Sequence, residues 1–235
     1  RFAFFGAAQG ASTAIAYAVR HPERVTKVVL YGGFARGVRG GSDAVSQEKY
    51  ALAKSLMLQG WGVDDEAHRQ WFTTRFMPEG DLDRWRAYNR LQQVSSSAEA
   101  AVRHLEAQAR VDVTALLPQM QVPTLVLHCR DDVAVPFEAS QELAARIPGA
   151  KLVALPGKNH LFAAGSPAHL AFFEAVNDFL GDPPPKRLPG TGTMLDRWEA
   201  RGRSIDANGL MRLTLLLLAI AGTILSVIQV WPKSG

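Results

Sequence analysis

The chain predicts an α/β fold, a parallel sheet with flanking helices, and three observations carry that prediction. Short apolar runs at 2–5, 26–31, 124–128 and 151–155 read as strands buried on both faces, with no polar alternation. Helical periods fill the chain between them. The run Phe5-Gly6-Ala7-Ala8-Gln9-Gly10 then joins the first strand to an alanine-rich helix at 11–20 through a tight turn flanked by glycines.

Taken in order, the first strand and its turn hold the most chemical information. Strand, sharp turn and helix form the context in which a Gly-x-Ser-x-Gly pattern lifts a nucleophilic serine above a sheet. Small neighbours are needed because the central residue is strained and the turn is crowded. Here the central position holds Ala8, which has no hydroxyl. The second strand follows Arg20-His21-Pro22-Glu23-Arg24-Val25 and ends in the turn Gly32-Gly33. The third is the buried run after Val122-Pro123. It ends in the acidic loop Arg130-Asp131-Asp132-Val133-Ala134-Val135-Pro136. The fourth, from Lys151 to Leu155, leads into Pro156-Gly157-Lys158-Asn159-His160. Turn, acid and histidine therefore all fall beyond strand ends, where ligand groups gather in open parallel sheets.

In that order, elbow, acid and histidine resemble the α/β-hydrolase superfamily, over about residues 2–180. The phrase around His21-Pro22-Glu23-Arg24-Val25 is similar to one common in that family. The resemblance places Ala8 at the nucleophile position and His160 as the base. Asp132 is the acid, four residues before Pro136 in an Asp-x-x-Val-Pro pattern, with Asp131 the weaker choice as a loop residue. The backbone N–H of Gln9 is the implied oxyanion donor, with a second from a loop after an early strand that this sequence does not contain. The family places several strands before its elbow, whereas this chain starts at Arg1 and enters the elbow strand at once. The expectation is thus a fragment of a longer protein, with about half the sheet and an exposed apolar edge strand.

Between the second and third strands lies an insertion at about 36–118, helical by pattern at 47–59, 65–76, 81–94 and 97–109. In this fold such an insertion is a cap over the site. Trp61, Trp71, Phe72, Phe76, Met77, Trp85 and Tyr88 are candidates to line it, with packing of the cap itself the favoured role for most. A small, apolar, ester-like substrate or ligand is the implied partner.

Composition narrows the alternatives. The 235 residues suffice for one α/β domain with an appendage, at 47% hydrophobic content. A net charge of +4, spread along the chain, offers no basic patch for nucleic acid. One cysteine, Cys129, excludes an internal disulfide, fits a reducing compartment and reads as a small buried hydrophobe. No histidine spacing suggests a metal, and no cofactor is implied; His21, His68, His104 and His169 lack paired ligands. His128, beside the acid, reads as structural, with tuning of the acid as the lesser alternative. Ser12, about one turn past the elbow, reads as a buried helix residue.

After residue 180 the character changes. A proline-rich linker at 181–211 precedes 213–231, a run without a charge. Its length nearly fills a bilayer core, and no polar face interrupts it, which predicts a transmembrane helix at 212–231. Trp231 stands where an interfacial aromatic would, and Gly222 with Ser226 form a weak close-approach pattern for a second helix. Arg197, Arg201, Arg203 and Arg212 before the run, against Lys233 after it, place the hydrolase-like domain in the cytoplasm. Three function classes follow. One is a serine ester or acyl hydrolase inactive because Ala8 replaces its nucleophile. Another is a non-catalytic ligand-sensing or interaction domain of a membrane-tethered regulator. The third is an enzyme that uses the His160–Asp132 dyad without a serine.

Overall fold

The computed structural model describes residues 1–37, 44–63 and 65–181. Four strands, β1 (Phe2–Ala7), β2 (Val25–Tyr31), β3 (Thr124–Cys129) and β4 (Lys151–Leu155), form one parallel sheet in the order β1-β2-β3-β4. Each expected strand is present, and β1 runs two residues further into the turn than its apolar run. That extension occurs because Gly6 and Ala7 keep pairing with Leu30 and Tyr31. Strand β3 is buried along its whole length, as a strand flanked on both sides and covered on both faces must be.

Helix α1 (Gln9–Arg20) packs on one face through Ala11, Ala14, Ile15 and Ala18, joined there by Val28, Leu30, Leu117, Val126 and Leu143. The small alanines let the helix lie close to β1 and β2. The other face carries α7 (Pro167–Leu180), where Phe172 meets Tyr31, Leu127 and Leu155. Helix α6 (Phe137–Arg146) links β3 to β4 in the usual crossover of parallel strands. Ser166 caps α7 by accepting from the His169 N–H at 3.2 Å, and Gly181 ends it in the left-handed region.

The insertion forms α2 (Ala44–Gly60), α3 (Glu66–Phe76), α4 (Leu82–Ser95) and α5 (Ala98–Ala109), then a 3-10 turn at Thr114–Gln119 that the periodicity does not predict. Asp65, Asp81 and Ser97 cap the last three helices, so the starts read from the sequence fall within one residue. At its base the insertion enters and leaves through a short antiparallel neck. There Arg36 bridges Asp112, and the Gly37 N–H donates to the Val111 carbonyl at 2.7 Å. Among the described residues no helix is long and apolar enough to cross a membrane. The linker after Gly181 and the uncharged run at 213–231, with Gly222, Ser226 and Trp231, lie outside the described residues.

Candidate active site

Ala8 sits between β1 and α1 with φ 48° and ψ −122°, and it is the one non-glycine with positive φ among the described residues. An L-residue held there is strained by about 1–3 kcal/mol, a conformation that persists only where surrounding contacts impose it. Those contacts are visible. The Ala8 N–H donates to the Tyr31 carbonyl at 2.9 Å, and the Ala8 carbonyl accepts from Ala11. A Cβ at Gly6 would meet the Gly10 carbonyl oxygen at 2.5 Å, so the turn closes only with glycine there. At Gly10 an added Cβ would meet nothing within 4 Å. Ala8 gives α1 no side-chain cap, and as the first helical residue Gln9 has an N–H without an intrahelical acceptor. The Gln9 side-chain oxygen is also buried without a partner.

Asp132 and His160 come from the loops after β3 and β4, and the sheet order makes those loops neighbours. His160 Nδ1 donates to Asp132 Oδ2 at 2.6 Å. Both side chains are enclosed, with 2% of His160 and none of Asp132 exposed. The other carboxylate oxygen accepts from the Ala134 and Val135 N–H groups at 2.8 and 3.0 Å, which fixes its plane. Burial by itself would raise the Asp132 pKa. Hydrogen bonds from His128, His160 and Val135 and the His160 charge outweigh it and hold the carboxyl well below the usual range. Asp131 is exposed and does not meet His160.

Two further groups belong to this cluster. His128 on β3 is fully buried, and its Nε2 stands 3.1 Å from Asp132 Oδ2 and 3.0 Å from the Val135 carbonyl. Both are acceptors, so Nε2 carries the proton and Nδ1 accepts from Ser140 Oγ at 2.6 Å. His128 thus hydrogen-bonds the acid directly, the contact that the lesser reading of it anticipates. Its position one residue from the end of a strand followed by an acidic loop was the available signal. Tyr31 is the other group: its hydroxyl donates to the His160 carbonyl at 2.6 Å. An apolar strand ending in tyrosine carries no mark of that contact.

Ala8 and His160 share a border at Tyr31 and Gly32. Ala8 bonds the Tyr31 carbonyl, while the His160 ring lies so close to Gly32 that a Cβ there would stand 2.7 Å from Cε1. His160 Nε2 has no hydrogen-bond partner among the described residues and is the ring nitrogen left for a reacting group. The cap covers this end of the site. The Phe76 ring lies 5.6 Å from the His160 ring, and the Leu161 N–H donates to the Phe76 carbonyl at 3.0 Å. The Glu79 N–H donates to Asn159 Oδ1, and Glu79 Oε2 accepts from the Lys158 N–H. Trp61, Phe72, Met77 and Tyr88 pack with Trp71, Phe76 and Trp85 in a cluster that Leu161 joins from the His160 loop. A cavity of about 290 Å³ opens where Glu79 meets Gly157, Asn159, Phe162 and Ser166, beside the His160 loop, and none of Ala8, Asp132 or His160 lines it.

The remaining sequence candidates have structural partners. Ser12 Oγ donates to the Phe34 carbonyl and faces the core. His68 bonds Asp65, and His169 packs on Phe162 and Phe173. Cys129 is buried, and burial pushes its thiol pKa up to about 11. Among the described residues no cluster of histidine, cysteine and carboxylates has the makings of a metal site.

A parallel sheet, a strained strand-to-helix turn and an acid–histidine pair on the next strand ends define a protein of the α/β hydrolase class. The family model for the alpha/beta hydrolase fold matches residues 1–165, and the chain belongs to that family. Among curated proteins, "Putative carbamate hydrolase RutD" of Pseudomonas savastanoi pv. phaseolicola is 29% identical over 186 residues, 75% of this chain and 66% of that protein. A pimeloyl-[acyl-carrier protein] methyl ester esterase of Aromatoleum aromaticum is 30% identical over 160 residues, 64% of this chain and 63% of that protein. The chain thus spans slightly less than two thirds of the length of these relatives. The crystal structure of an enol-lactonase from Burkholderia xenovorans matches with a TM-score of 0.62 at 24% identity, over 76% of this chain and 65% of that one. At that identity the likeness is one of fold.

Proposed function

We propose that the chain is a serine-hydrolase-type ester or acyl hydrolase domain whose nucleophile position is occupied by Ala8, so that it forms no acyl-enzyme as it stands. The observation that supports this most is the backbone of Ala8. The strained turn that presents a nucleophile is kept at a residue with no hydroxyl to present. Beside it the base and acid stand hydrogen-bonded, with Gln9 supplying the oxyanion N–H. With a serine at position 8, the hydroxyl would give its proton to His160 Nε2 as its oxygen attacked the acyl carbon. Asp132 would hold the imidazole and stabilise its charged form. The leaving group would then take the proton from His160, and water would repeat the sequence to release the acid.

Losing a triad nucleophile lowers turnover by about six orders of magnitude. The full chain is therefore expected to resist labelling by a fluorophosphonate probe. Ala8→Ser, in the protein extended to the length of its relatives, is expected to bring labelling and short-chain ester hydrolysis. A folded Ala8→Ser protein that neither labels nor hydrolyses would overturn the hydrolase reading and favour the ligand-sensing one.

A second reading keeps the chemistry without a serine. The Asp132–His160 pair is fully assembled although nothing at position 8 can use it. His160 Nε2 would then take a proton from substrate or from water. Activity that His160→Gln abolishes and Ala8→Ser leaves unchanged would favour this reading.

The same proposal includes the layout of the chain: a hydrolase-like domain at 1–180 with a cap at about 36–118, a linker at 181–211 and a transmembrane helix at 212–231. The uncharged run at 213–231 and the arginines before it support the anchor and a cytoplasmic domain. Release of the intact protein from membranes by alkaline carbonate would overturn it.

A further inference from the structure

The loop that carries His160 is gripped by the cap segment that runs from the end of α3 toward α4. Three hydrogen bonds make the grip. The Leu161 N–H donates to the Phe76 carbonyl at 3.0 Å, the Glu79 N–H to Asn159 Oδ1 at 2.9 Å, and the Lys158 N–H to Glu79 Oε2 at 3.1 Å. Asn159 and Leu161 are the two chain neighbours of His160, so the cap holds the backbone on either side of the base. The His160 carbonyl between them accepts from Tyr31. Three consecutive residues are thus each bonded outside their own loop, the first and third to the cap and the second to β2.

Both partners are shaped for this contact. On the loop, Gly157 takes φ 101°, a conformation that favours glycine, and a Cβ there would stand 3.1 Å from Glu79 Oε2. In the cap, the Trp85 indole N–H and the Gly80 N–H both donate to the Met77 carbonyl, at 2.8 and 3.0 Å. A Cβ at Gly80 would collide with the Trp85 indole. Residues 77–80 therefore form a braced turn, and Glu79 is presented from it. Burial does not demand the contact, because Glu79 is exposed and water satisfies an exposed carboxylate. Hydrogen bonds of this kind add only modestly to the stability of a fold. What they fix is the backbone at 158–161, and with it the direction of the imidazole. Placement matters there, since a shift of about 1 Å in a reacting group costs about a hundredfold in rate.

We propose that Glu79 is a positioning residue for His160: it closes a clasp through which the cap, and not the sheet alone, sets the loop that carries the base. This deepens the reading above and rests on His160 as the base. It gives the insertion a second task beside covering the site, because a cap that lifts away at 76–79 releases both neighbours of the base.

The test reads the imidazole itself, so it is separate from fluorophosphonate labelling of Ala8→Ser, and either can fail alone. In the full-length protein with isotope-labelled histidine, the His160 Nδ1 proton is assigned by its loss in His160→Gln, and its exchange with water is followed by NMR. The unaltered protein is expected to show a slowly exchanging Nδ1 proton. Glu79→Ala combined with Asn159→Ala removes two of the three bonds and is expected to quicken that exchange by about tenfold or more, with the β3 amide protons unchanged. Glu79→Ala alone is expected to quicken it severalfold, and it decides the matter should the double variant fail to fold. Glu79→Gln, whose amide oxygen still accepts from the Lys158 N–H, is expected to keep the slow rate. An unchanged Nδ1 rate in the alanine variants, a Glu79→Gln rate as fast as that of Glu79→Ala, equal quickening of the β3 amides, or no protected Nδ1 proton in the unaltered protein would each overturn the proposal.

Discussion

Tyr31 and His160 are joined by one hydrogen bond: the hydroxyl at the end of β2 donates to the His160 carbonyl at 2.6 Å. Burial raises the Tyr31 pKa well above its ordinary value, so the hydroxyl keeps its proton and remains a donor. The ring of Tyr31 also packs edge-on against Phe162 and Phe172, which ties the histidine loop to the sheet and to α7.

Tyr31→Phe is accordingly expected to preserve the packing and leave a buried carbonyl unpaired. Such a loss destabilises by about 1–3 kcal/mol. Hydrogen exchange should quicken in the loop 158–162 before it does so in β2. Unchanged exchange in that loop would mean that Tyr31 does not tether it.

His128→Ala removes one donor from Asp132 Oδ2 and the acceptor of Ser140 Oγ together. Two buried polar groups lose partners, and a fall of at least about 2 kcal/mol in unfolding free energy is expected. Ser140→Ala, which strips only the His128 Nδ1 partner, should cost less. Urea titrations of the two variants rank the losses, and equal values would contradict the network.

The Asp132 carboxyl gives stability a defined pH dependence. Its folded pKa is depressed, so the unfolded chain binds the proton more readily than the folded one. The stabilisation is therefore present above the unfolded carboxylate value of about 4 and is lost as pH falls below it toward the folded value. Asp132→Asn should flatten that dependence. Melting curves from pH 6 to pH 3 should show the gap between the two proteins narrowing as the pH drops, and a widening gap would reverse the sign.

Three substitutions probe the strained turn. Gly6→Ala drives a Cβ into the Gly10 backbone and should destabilise by more than about 1–3 kcal/mol, the cost of ordinary overpacking. Gly10→Ala meets open space in the first turn of α1 and should be neutral or stabilising by up to about 1 kcal/mol. Ala8→Gly relieves the positive φ, so its melting temperature should rise or hold. A fall in the Ala8→Gly melting temperature would mean that Ala8 is not strained in solution.

What the chain determined by itself is the local part of this architecture. Apolar runs without alternation mark the strands, capping residues set the starts of α3, α4 and α5, and the glycines around Ala8 mark a sharp turn, because periodicity and turn chemistry act over a few residues. The order of turn, acid and histidine also let Ala8, Asp132, His160 and Gln9 be named as one candidate site. Only the tertiary structure decided how that site is held. The second donor on Asp132 comes from His128 in β3, and the tether of the histidine loop from Tyr31 in β2. Neither contact can be read from the chain, since a histidine or tyrosine looks the same whatever it meets, and His128 is marked only by its place at a strand end before the acidic loop. Their roles come from distance in space. The Tyr31–His160 contact joins residues 129 positions apart, and only strand order and helix packing bring such groups within hydrogen-bond reach.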